Sequence, residues 1–249
     1  MSRHPAPVRW LRRAQPWLGT LVEIGLAADA RAGHAASAAF AAVQRVQACM
    51  SRFEPLSDVC RFAALPAGGS LQVARETSEL LQAASQLQQA SAGLFDITQG
   101  RAPHGWRCAG LQLSKLDAAA AFDLGGIAKG YAVDCAVQVL QAHGCTAGWV
   151  NAGGDLRTFG SASLPIVLRD EAAGELRPFA QLEDGAFATS CFGGGSRSQA
   201  WRDGNSIQAH ASVAAPLCLW ADALTKVVAV SGNARHPLLA AYGARAWLH

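Results

Sequence analysis

Apolar and polar residues follow one another along this chain in patterns that predict both strands and helices. Alternation over Trp17–Leu26 predicts a strand with one mostly apolar face. That face carries Leu18, Thr20, Val22, Ile24 and Leu26. Helical spacing of apolar residues predicts four helices. They cover residues 35–50, a segment that begins with Thr77 as its N-cap, residues 128–143 and residues 220–230. Shorter strands are predicted at 148–150, 164–168 and 246–248, and a short helix at 237–242.

The order of these elements predicts an α+β fold. Strands do not alternate strictly with helices, which disfavours a doubly wound parallel sheet. No repeat or clear linker divides the chain, so one domain is expected over residues 17–249. Residues 1–16 are rich in arginine and are predicted to form a basic, poorly ordered tail.

Composition narrows the functional classes. The chain has 249 residues, of which 51% are hydrophobic and 16% charged, so a sizeable core is expected and wholesale disorder is excluded. A net charge of +3 is too small to indicate binding to nucleic acid or to a membrane surface. Seven scattered cysteines, the lack of a membrane-length apolar stretch and the lack of a secretory h-region favour the cytoplasm.

Two glycine turns carry the clearest chemical signal. Phe122–Tyr131 places an acid, two glycines and Lys129 where a strand gives way to a helix, and Val150–Leu156 contains Gly153, Gly154 and Asp155. Free N–H groups at a helix start, with a lysine beside them, suit a phosphate group. An ordinary strand-turn-helix junction is the alternative. Neither turn matches the P-loop or the dinucleotide-binding fingerprint.

Several spaced motifs together resemble one family. Besides the two turns, they are Leu18-Gly19-Thr20, Met50–Phe53 with Ser57-Asp58, Gly93–Thr98, Ala186–Ser190 and Ala221–Ala223. In this order they resemble the FAD:protein FMN transferases, the ApbE-like flavin transferases, over nearly the whole chain. The resemblance implies T-fold-related antiparallel sheets flanked by helices, with the flavin site in the cleft between lobes.

The resemblance also implies an activity. Such an enzyme cleaves FAD at its pyrophosphate and attaches FMN through a phosphoester to a Ser or Thr of an acceptor flavoprotein, with Mg²⁺ assisting. The expected partners are therefore FAD and the acceptor, without nucleic acid or a membrane span. Two alternatives remain open: an FAD-binding protein that has lost the transfer activity, and a pyrophosphatase that releases FMN and AMP.

Site residues follow from the same resemblance. FAD contacts are expected from Leu18, Phe53, Leu94, Phe95, Asp96, Asp123 and Lys129. The metal ligands would be the Gly126 carbonyl and the Asp222 carboxylate, both hard oxygen donors. Structural alternatives are that Asp96 caps a turn and that Phe53 packs in the core. For Asp155 we favour an Asx-turn role over direct catalysis.

The sequence departs from the family pattern at two places. Lys226 stands where the family has a threonine four residues after the acid, and Thr225 lies one step round the helix. Lys226 either pairs with Asp222 in the cation's place, which we favour, or points to the pyrophosphate beside a weakly bound Mg²⁺. The family's H-x-x-D-P-x-T-G segment is missing, and His210 aligns poorly with its histidine, so the base for the acceptor hydroxyl stays open. Asp222 and His210 are the predicted catalytic residues.

Overall fold

The computed structural model describes residues 9–169, 176–193, 201–202, 205–207 and 209–249. Within these ranges the strands are β1 (Trp10–Trp17), β2 (Thr20–Ala27), β3 (Ser70–Gln72), β4 (Trp106–Ala109), β5 (Gln112–Lys115), β6 (Gly148–Ala152), β7 (Asp155–Phe159), β8 (Ser163–Arg169), β9 (Leu176–Glu183), β10 (Ala186–Phe192), β11 (Trp201–Arg202), β12 (Asn205–Ser206), β13 (Ala209–Ala215) and β14 (Arg245–Leu248). The helices are α1 (Ala32–Met50), α2 (Asp58–Ala64), α3 (Arg75–Ala90), α4 (Ala128–Ala142), α5 (Cys218–Ser231) and α6 (Leu238–Ala241).

A seven-stranded antiparallel sheet forms the centre of the fold, in the order β1-β2-β6-β7-β10-β13-β14. Helices α1, α4 and α5 pack together along one face of it. On β2, Val22, Ile24 and Leu26 are buried toward these helices, as the alternation predicts. The β8–β9 hairpin covers part of the opposite face, where Ile166 packs with Leu156 and Phe187. The predicted α+β class with antiparallel sheets flanked by helices is confirmed.

A smaller antiparallel sheet, in the order β3-β5-β4, packs with α2 and α3. Here the start of α3 differs from the prediction. Ala74 is the N-cap, and Asp58 of α2 accepts hydrogen bonds from the Ala74 N–H at 2.8 Å and the Thr77 hydroxyl at 2.7 Å. A carboxylate from another helix therefore does the capping that the sequence pattern assigned to Thr77.

The predicted helices are confirmed, with boundaries that shift by a few residues. Helix α4 ends before Gly144, which has the expected left-handed conformation at φ 79°. Helix α5 starts two residues earlier than expected because Asp134 accepts hydrogen bonds from the first N–H groups, those of Cys218 and Leu219. Among the described helices, none combines the length and the apolar character needed to cross a membrane.

The prediction of a poorly ordered tail is wrong for residues 10–16, because they form strand β1. This edge strand pairs with β2 along its whole length, from Trp10 opposite Ala27 to Trp17 opposite Thr20. The Trp10 ring lies 4.9 Å from that of Trp149, and the Arg12 guanidinium lies over the Trp149 ring at 5.2 Å. Aromatic and cation–π contacts thus hold a strand whose arginines suggested a solvated tail. Residues 1–8 of the predicted tail lie outside the described residues.

Gly25 provides a test of this packing. A Cβ atom at Gly25 would overlap the Trp149 indole, whereas one at Gly33 in α1 would meet nothing nearer than 3.9 Å. Gly25→Ala should lower the free energy of unfolding by about 2 kcal/mol or more, because the indole is already held by its neighbours. Gly33→Ala, the matched control, should be neutral or stabilising by about 0.5 kcal/mol. Urea unfolding measures both, and an equal effect of the two variants would contradict the packing described.

Candidate active site

The first glycine turn is tied to a second loop by Asp123. The Asp123 N–H donates to the Ile97 carbonyl at 2.7 Å, and its carboxylate accepts from the Gly125 N–H at 2.9 Å and the Gln99 amide at 2.7 Å. Helix α4 then begins at Ala128. These hydrogen bonds therefore fix the conformation of the loop that leads into helix α4.

The second glycine turn joins β6 to β7. Both Gly153 and Gly154 have positive φ, at 66° and 103°, which glycine adopts without strain. Asn151 accepts a hydrogen bond from the Gly154 N–H at 2.9 Å. A Cβ at Gly153 would overlap the side chain of Thr20, so β2 packs closely against the turn. The Asx-type bond that we expected from Asp155 is thus made by Asn151.

Asp155 instead joins the two turns by contacting Lys129. Its carboxylate is 1% exposed and forms an ion pair and hydrogen bond with the Lys129 ammonium. The Lys129 side chain is 34% exposed, so this residue is the accessible member of the pair. The predicted Asx-turn role of Asp155 is therefore wrong. Its buried carboxylate pairs with the Lys129 ammonium, because a buried charge needs a partner of opposite charge.

A second ion pair lies beside the first. Asp222 on α5 is fully buried, and its Oδ1 pairs with the ammonium of Lys226 one helical turn away. Its Oδ2 accepts from the Gly130 N–H at 3.2 Å. Lys226 also donates to the Asp222 carbonyl at 3.0 Å and to Ser190 at 3.2 Å. Of the two arrangements predicted for Lys226, pairing with Asp222 is confirmed.

Glycines allow the two helices to meet at this pair. A Cβ at Gly130 would lie 2.9 Å from the Asp222 Cβ and would overlap the Cys218 carbonyl. One at Gly126 would lie 2.6 Å from the Lys226 Cε, so the lysine stem crosses the first turn directly. The structure thus brings together Lys129, Gly126 and Asp222, as the sequence predicts.

Three groups of this cluster, Asp155, Asp222 and Lys129, have shifted pKa values. Burial and the Asp222 charge raise the pKa of Asp155 to about 6, against the opposing effect of Lys129 and Lys226. Burial also acts to raise the pKa of Asp222, but Lys226, Lys129 and the Gly130 N–H outweigh it and hold this pKa below its usual value. Burial opposes the charge on Lys129, yet Asp155 and Asp222 raise its pKa. Asp222 is therefore the more firmly ionised carboxylate.

Asp134 positions the helix that carries Asp222. Besides the N–H groups of Cys218 at 3.0 Å and Leu219 at 2.8 Å, its carboxylate accepts from Arg157 at 2.8 Å. Both partners of this ion pair are mostly buried. One carboxylate on α4 thus fixes the start of α5 and a side chain of β7, and so sets where Asp222 and Asp155 lie.

These contacts are typical of an anion-binding site. Two ammonium groups and a helix start converge on two glycine turns, while the two carboxylates hold the lysines in place. No group of three or more His, Cys, Asp or Glu side chains that suits a metal ion occurs within the described part of the chain.

Comparison with known proteins identifies the family. The model of the ApbE family matches residues 18–112 and 104–247. The chain belongs to the ApbE family. An FAD:protein FMN transferase of Chlamydia pneumoniae is 25% identical over 234 residues, which cover 74% of this chain and 72% of that protein.

Solved ApbE structures share the fold. The flavin transferase ApbE of Vibrio cholerae superposes with a TM-score of 0.83 at 21% identity, covering 97% of this chain and 94% of that one. The flavinyl transferase ApbE of Pseudomonas stutzeri, in its apo form, gives 0.79 at 22% identity, with 98% and 92% covered. The ApbE protein of Thermotoga maritima gives 0.82 at 22% identity, with 96% and 94% covered.

Three predicted flavin contacts lie in one loop of this ApbE family member. Leu94 is half-buried, and Phe95 is 4% exposed within the core. The Asp96 carboxylate accepts from the Thr98 N–H and the Gly100 N–H, both at 2.8 Å. Asp96 therefore caps its own turn, the alternative considered from the sequence, and Phe95 has little surface left for a flat ring.

Two other predicted contacts are more accessible. Phe53 is 79% exposed with the Arg52 guanidinium 5.0 Å from its ring centre, so the alternative of a core residue is wrong. Leu18 has a positive φ of 56° in the turn between β1 and β2, which is costly for a branched side chain. Its N–H donates to Gln47 at 2.7 Å, which helps to hold that conformation.

His210 is not brought to the ion pairs. On β10, Ser190 faces α5, where it lies 2.9 Å from the Thr225 hydroxyl. His210 on β13 pairs in register with Cys191, the next residue, and so points to the other face of the sheet. There its ring lies 4.8 Å from that of His249. This placement argues against the predicted catalytic role of His210.

Asp134 and Ser190 have no predicted role, although both lie within motifs that mark the family. The second acid of the D-L-G-G-I-A-K-G-Y-A-x-D motif is Asp134, and Ser190 ends the A-x-A-T-S motif. Their roles depend on contacts with α5, which is distant in sequence. The sequence signal for such a role is a polar residue within an otherwise apolar strand or helix, because a buried polar group needs a hydrogen-bonding partner.

The raised pKa of Asp155 predicts a pH effect on stability. The folded chain holds this proton to about pH 6, while an unfolded chain releases it near pH 4. The folded form therefore binds more protons in that window, and stability falls as pH rises through it. Relative to Asp155→Asn, the free energy of unfolding of the native chain should drop by about 2 kcal/mol between pH 4 and pH 6. Urea unfolding at several pH values measures this, and parallel pH curves would contradict the assignment.

Proposed function

We propose that this chain is an FAD:protein FMN transferase. Membership of the ApbE family and the likeness to a curated relative of that name support the proposal. The observation that carries it is the pair of lysine–aspartate contacts, Lys129 with Asp155 and Lys226 with Asp222, at two glycine turns. Together they offer a diphosphate ester the partly exposed side chain of Lys129 and, from Lys226, a second positive charge at a fixed position.

The reaction requires one bond to form and one to break. The hydroxyl oxygen of an acceptor Ser or Thr attacks the phosphorus of the FMN half, and the bond from that phosphorus to the AMP oxygen breaks. The hydroxyl proton is released to the solvent, and AMP leaves with the bridging oxygen. Positioning and charge neutralisation are the main demands of such a transfer.

The protein's own groups meet these demands in separate ways. Lys129, whose side chain is partly exposed, would contact phosphate oxygens, and Lys226 would add a second positive charge from α5. With its lowered pKa, Asp222 is a weak proton acceptor, and its role is to position Lys226. Asp155, whose pKa is raised to about 6, is the stronger base of the two carboxylates.

The flavin half of FAD would lie against the accessible predicted residues. Phe53 offers an exposed aromatic face, and Leu18 and Leu94 offer apolar surface. The carboxylates of Asp123 and Asp96 already accept hydrogen bonds from their own loops, so their contribution is to shape the site.

The acceptor would be a flavoprotein with a Ser or Thr at its surface. A cytoplasmic location stays a prediction.

Magnesium does not fit the donor set. The sequence predicts the Gly126 carbonyl and the Asp222 carboxylate as ligands, yet Asp222 Oδ1 is paired with the Lys226 ammonium. The Thr225 hydroxyl donates to the Asp222 carbonyl at 2.7 Å and lies beside Ser190. An ammonium group is a donor without a free lone pair, so Lys226 offers no ligand. We therefore assign no step of the reaction to Mg²⁺.

Transfer is tested by incubating the protein with FAD and a flavin-accepting domain. We expect a fluorescent acceptor band in a denaturing gel, because the phosphoester is covalent. An acceptor with its Ser or Thr changed to Ala is the control and should stay dark. Release of FMN and AMP without labelling would show a pyrophosphatase, and intact bound FAD would show a binding protein. Either result would contradict the proposal.

The phosphate role of Lys129 is tested by comparing ligands. Lys129→Ala should weaken FAD binding by about tenfold or more and riboflavin binding much less, since only FAD has a pyrophosphate. Lys115→Ala is the control, because this lysine of β5 donates to the Ala63 carbonyl of α2, outside the candidate site. Flavin fluorescence titration measures both. Equal losses for FAD and riboflavin in Lys129→Ala would contradict the role.

A further inference from the structure

The Lys226 ammonium is fully hydrogen-bonded. Its three N–H groups have three acceptors: the Asp222 Oδ1, the Asp222 carbonyl at 3.0 Å and Ser190 at 3.2 Å. The side chain is 13% exposed, and its stem crosses Gly126. Such an arrangement holds the positive charge at one position, whereas the side chains of most surface lysines are mobile.

The surroundings are fitted to this ammonium. Ser190 and the Asp222 carbonyl are linked in turn by the Thr225 hydroxyl, which is fully buried. The other oxygen of the Asp222 carboxylate is taken by the Gly130 N–H. Both carboxylate oxygens therefore have a donor, and the single negative charge of Asp222 is balanced by one positive charge. A divalent ion on Asp222 would have to displace Lys226 or lie against it, and like charges at that distance repel strongly.

Lysine is rare elsewhere in the chain. The sequence contains 21 lysines and arginines, and only Lys115, Lys129 and Lys226 are lysines. Two of these three lie in the candidate site. Lys129 belongs to the glycine-turn motif of the family, whereas Lys226 stands where the family has a threonine, so only Lys226 adds a positive charge that the family pattern lacks.

We propose that the Lys226 ammonium is a built-in cation that takes the place of a divalent metal on Asp222, so that this site binds a diphosphate ester without a metal ion. The inference rests on the proposed function for the identity of that ester as FAD. The replacement itself concerns Lys226 and Asp222 alone, so it is testable with a metal ion and no flavin.

The experiment measures binding of Mn²⁺, a spectroscopic substitute for Mg²⁺, to the flavin-free protein by electron paramagnetic resonance. The native protein should bind no Mn²⁺ at this site. Lys226→Thr restores a hydroxyl one turn after Asp222, and Lys226→Gln keeps much of the stem and supplies an amide oxygen. At least one of the two should gain a Mn²⁺ site that Mg²⁺ displaces. Lys115→Gln is the matched control and should gain none.

The possible results divide clearly. Mn²⁺ bound by a Lys226 variant, and by neither the native protein nor Lys115→Gln, supports the replacement. Binding by the native protein overturns it, because Lys226 would then not exclude the ion. If neither folded Lys226 variant binds Mn²⁺, the proposal is also overturned, because removing the ammonium would not uncover a metal site. Circular dichroism establishes which variants are folded.

A second measurement adds FAD. The dissociation constant of FAD for the native protein should change by less than about twofold between chelator and excess Mg²⁺. In the Lys226 variant that gains the Mn²⁺ site, Mg²⁺ should strengthen FAD binding by about tenfold. Strong Mg²⁺ dependence in the native protein would overturn the inference. Absence of FAD binding altogether would contradict the proposed function and leave the Mn²⁺ result to judge the replacement.

Discussion

The buried carboxylate of Asp222 is the constraint on which the arrangement of the site depends. A charge with no exposure to water destabilises a fold unless partners compensate it, and here Lys226 and the Gly130 N–H do so. Those two partners belong to α5 and α4, so the requirement fixes how the two helices meet. The glycine at position 130 follows from the same contact, because a side chain there would collide with α5.

The rest of the site extends outward from that contact. Asp134 caps the start of α5 and binds Arg157 of β7, and β7 begins with Asp155, the partner of Lys129. Two lysines and two aspartates thus form a nearly neutral cluster in which each ammonium has a fixed direction. A preorganised cluster of this kind would need little rearrangement on binding the phosphate group that we propose for it, and phosphoryl transfer depends on such preorganisation. ApbE family membership supplies the chemical context for that ligand.

Features set by local sequence could be predicted, and those set by distant contacts could not. Alternation placed Val22, Ile24 and Leu26 in the core, and glycine marked both turns and the end of α4. The spacing of Asp222 and Lys226 was enough to expect their pairing. By contrast, Asp58 rather than Thr77 caps the start of α3, and β1 pairs with β2 while its Trp10 packs on Trp149 of another strand. The placement of His210 depended on strand register, which its sequence neighbours do not reveal.

A crystal structure of the FAD complex, grown with Mg²⁺ present, tests the account most directly. The pyrophosphate oxygens should lie about 3 Å from the Lys129 ammonium, the distance of a charge-assisted hydrogen bond. Lys226, whose three N–H groups are already used, should act on them through its charge alone. Lys226 should remain on Asp222, with no metal ion bound to that carboxylate. A Mg²⁺ ion coordinated by Asp222 with Lys226 displaced, or a pyrophosphate distant from both lysines, would contradict the account.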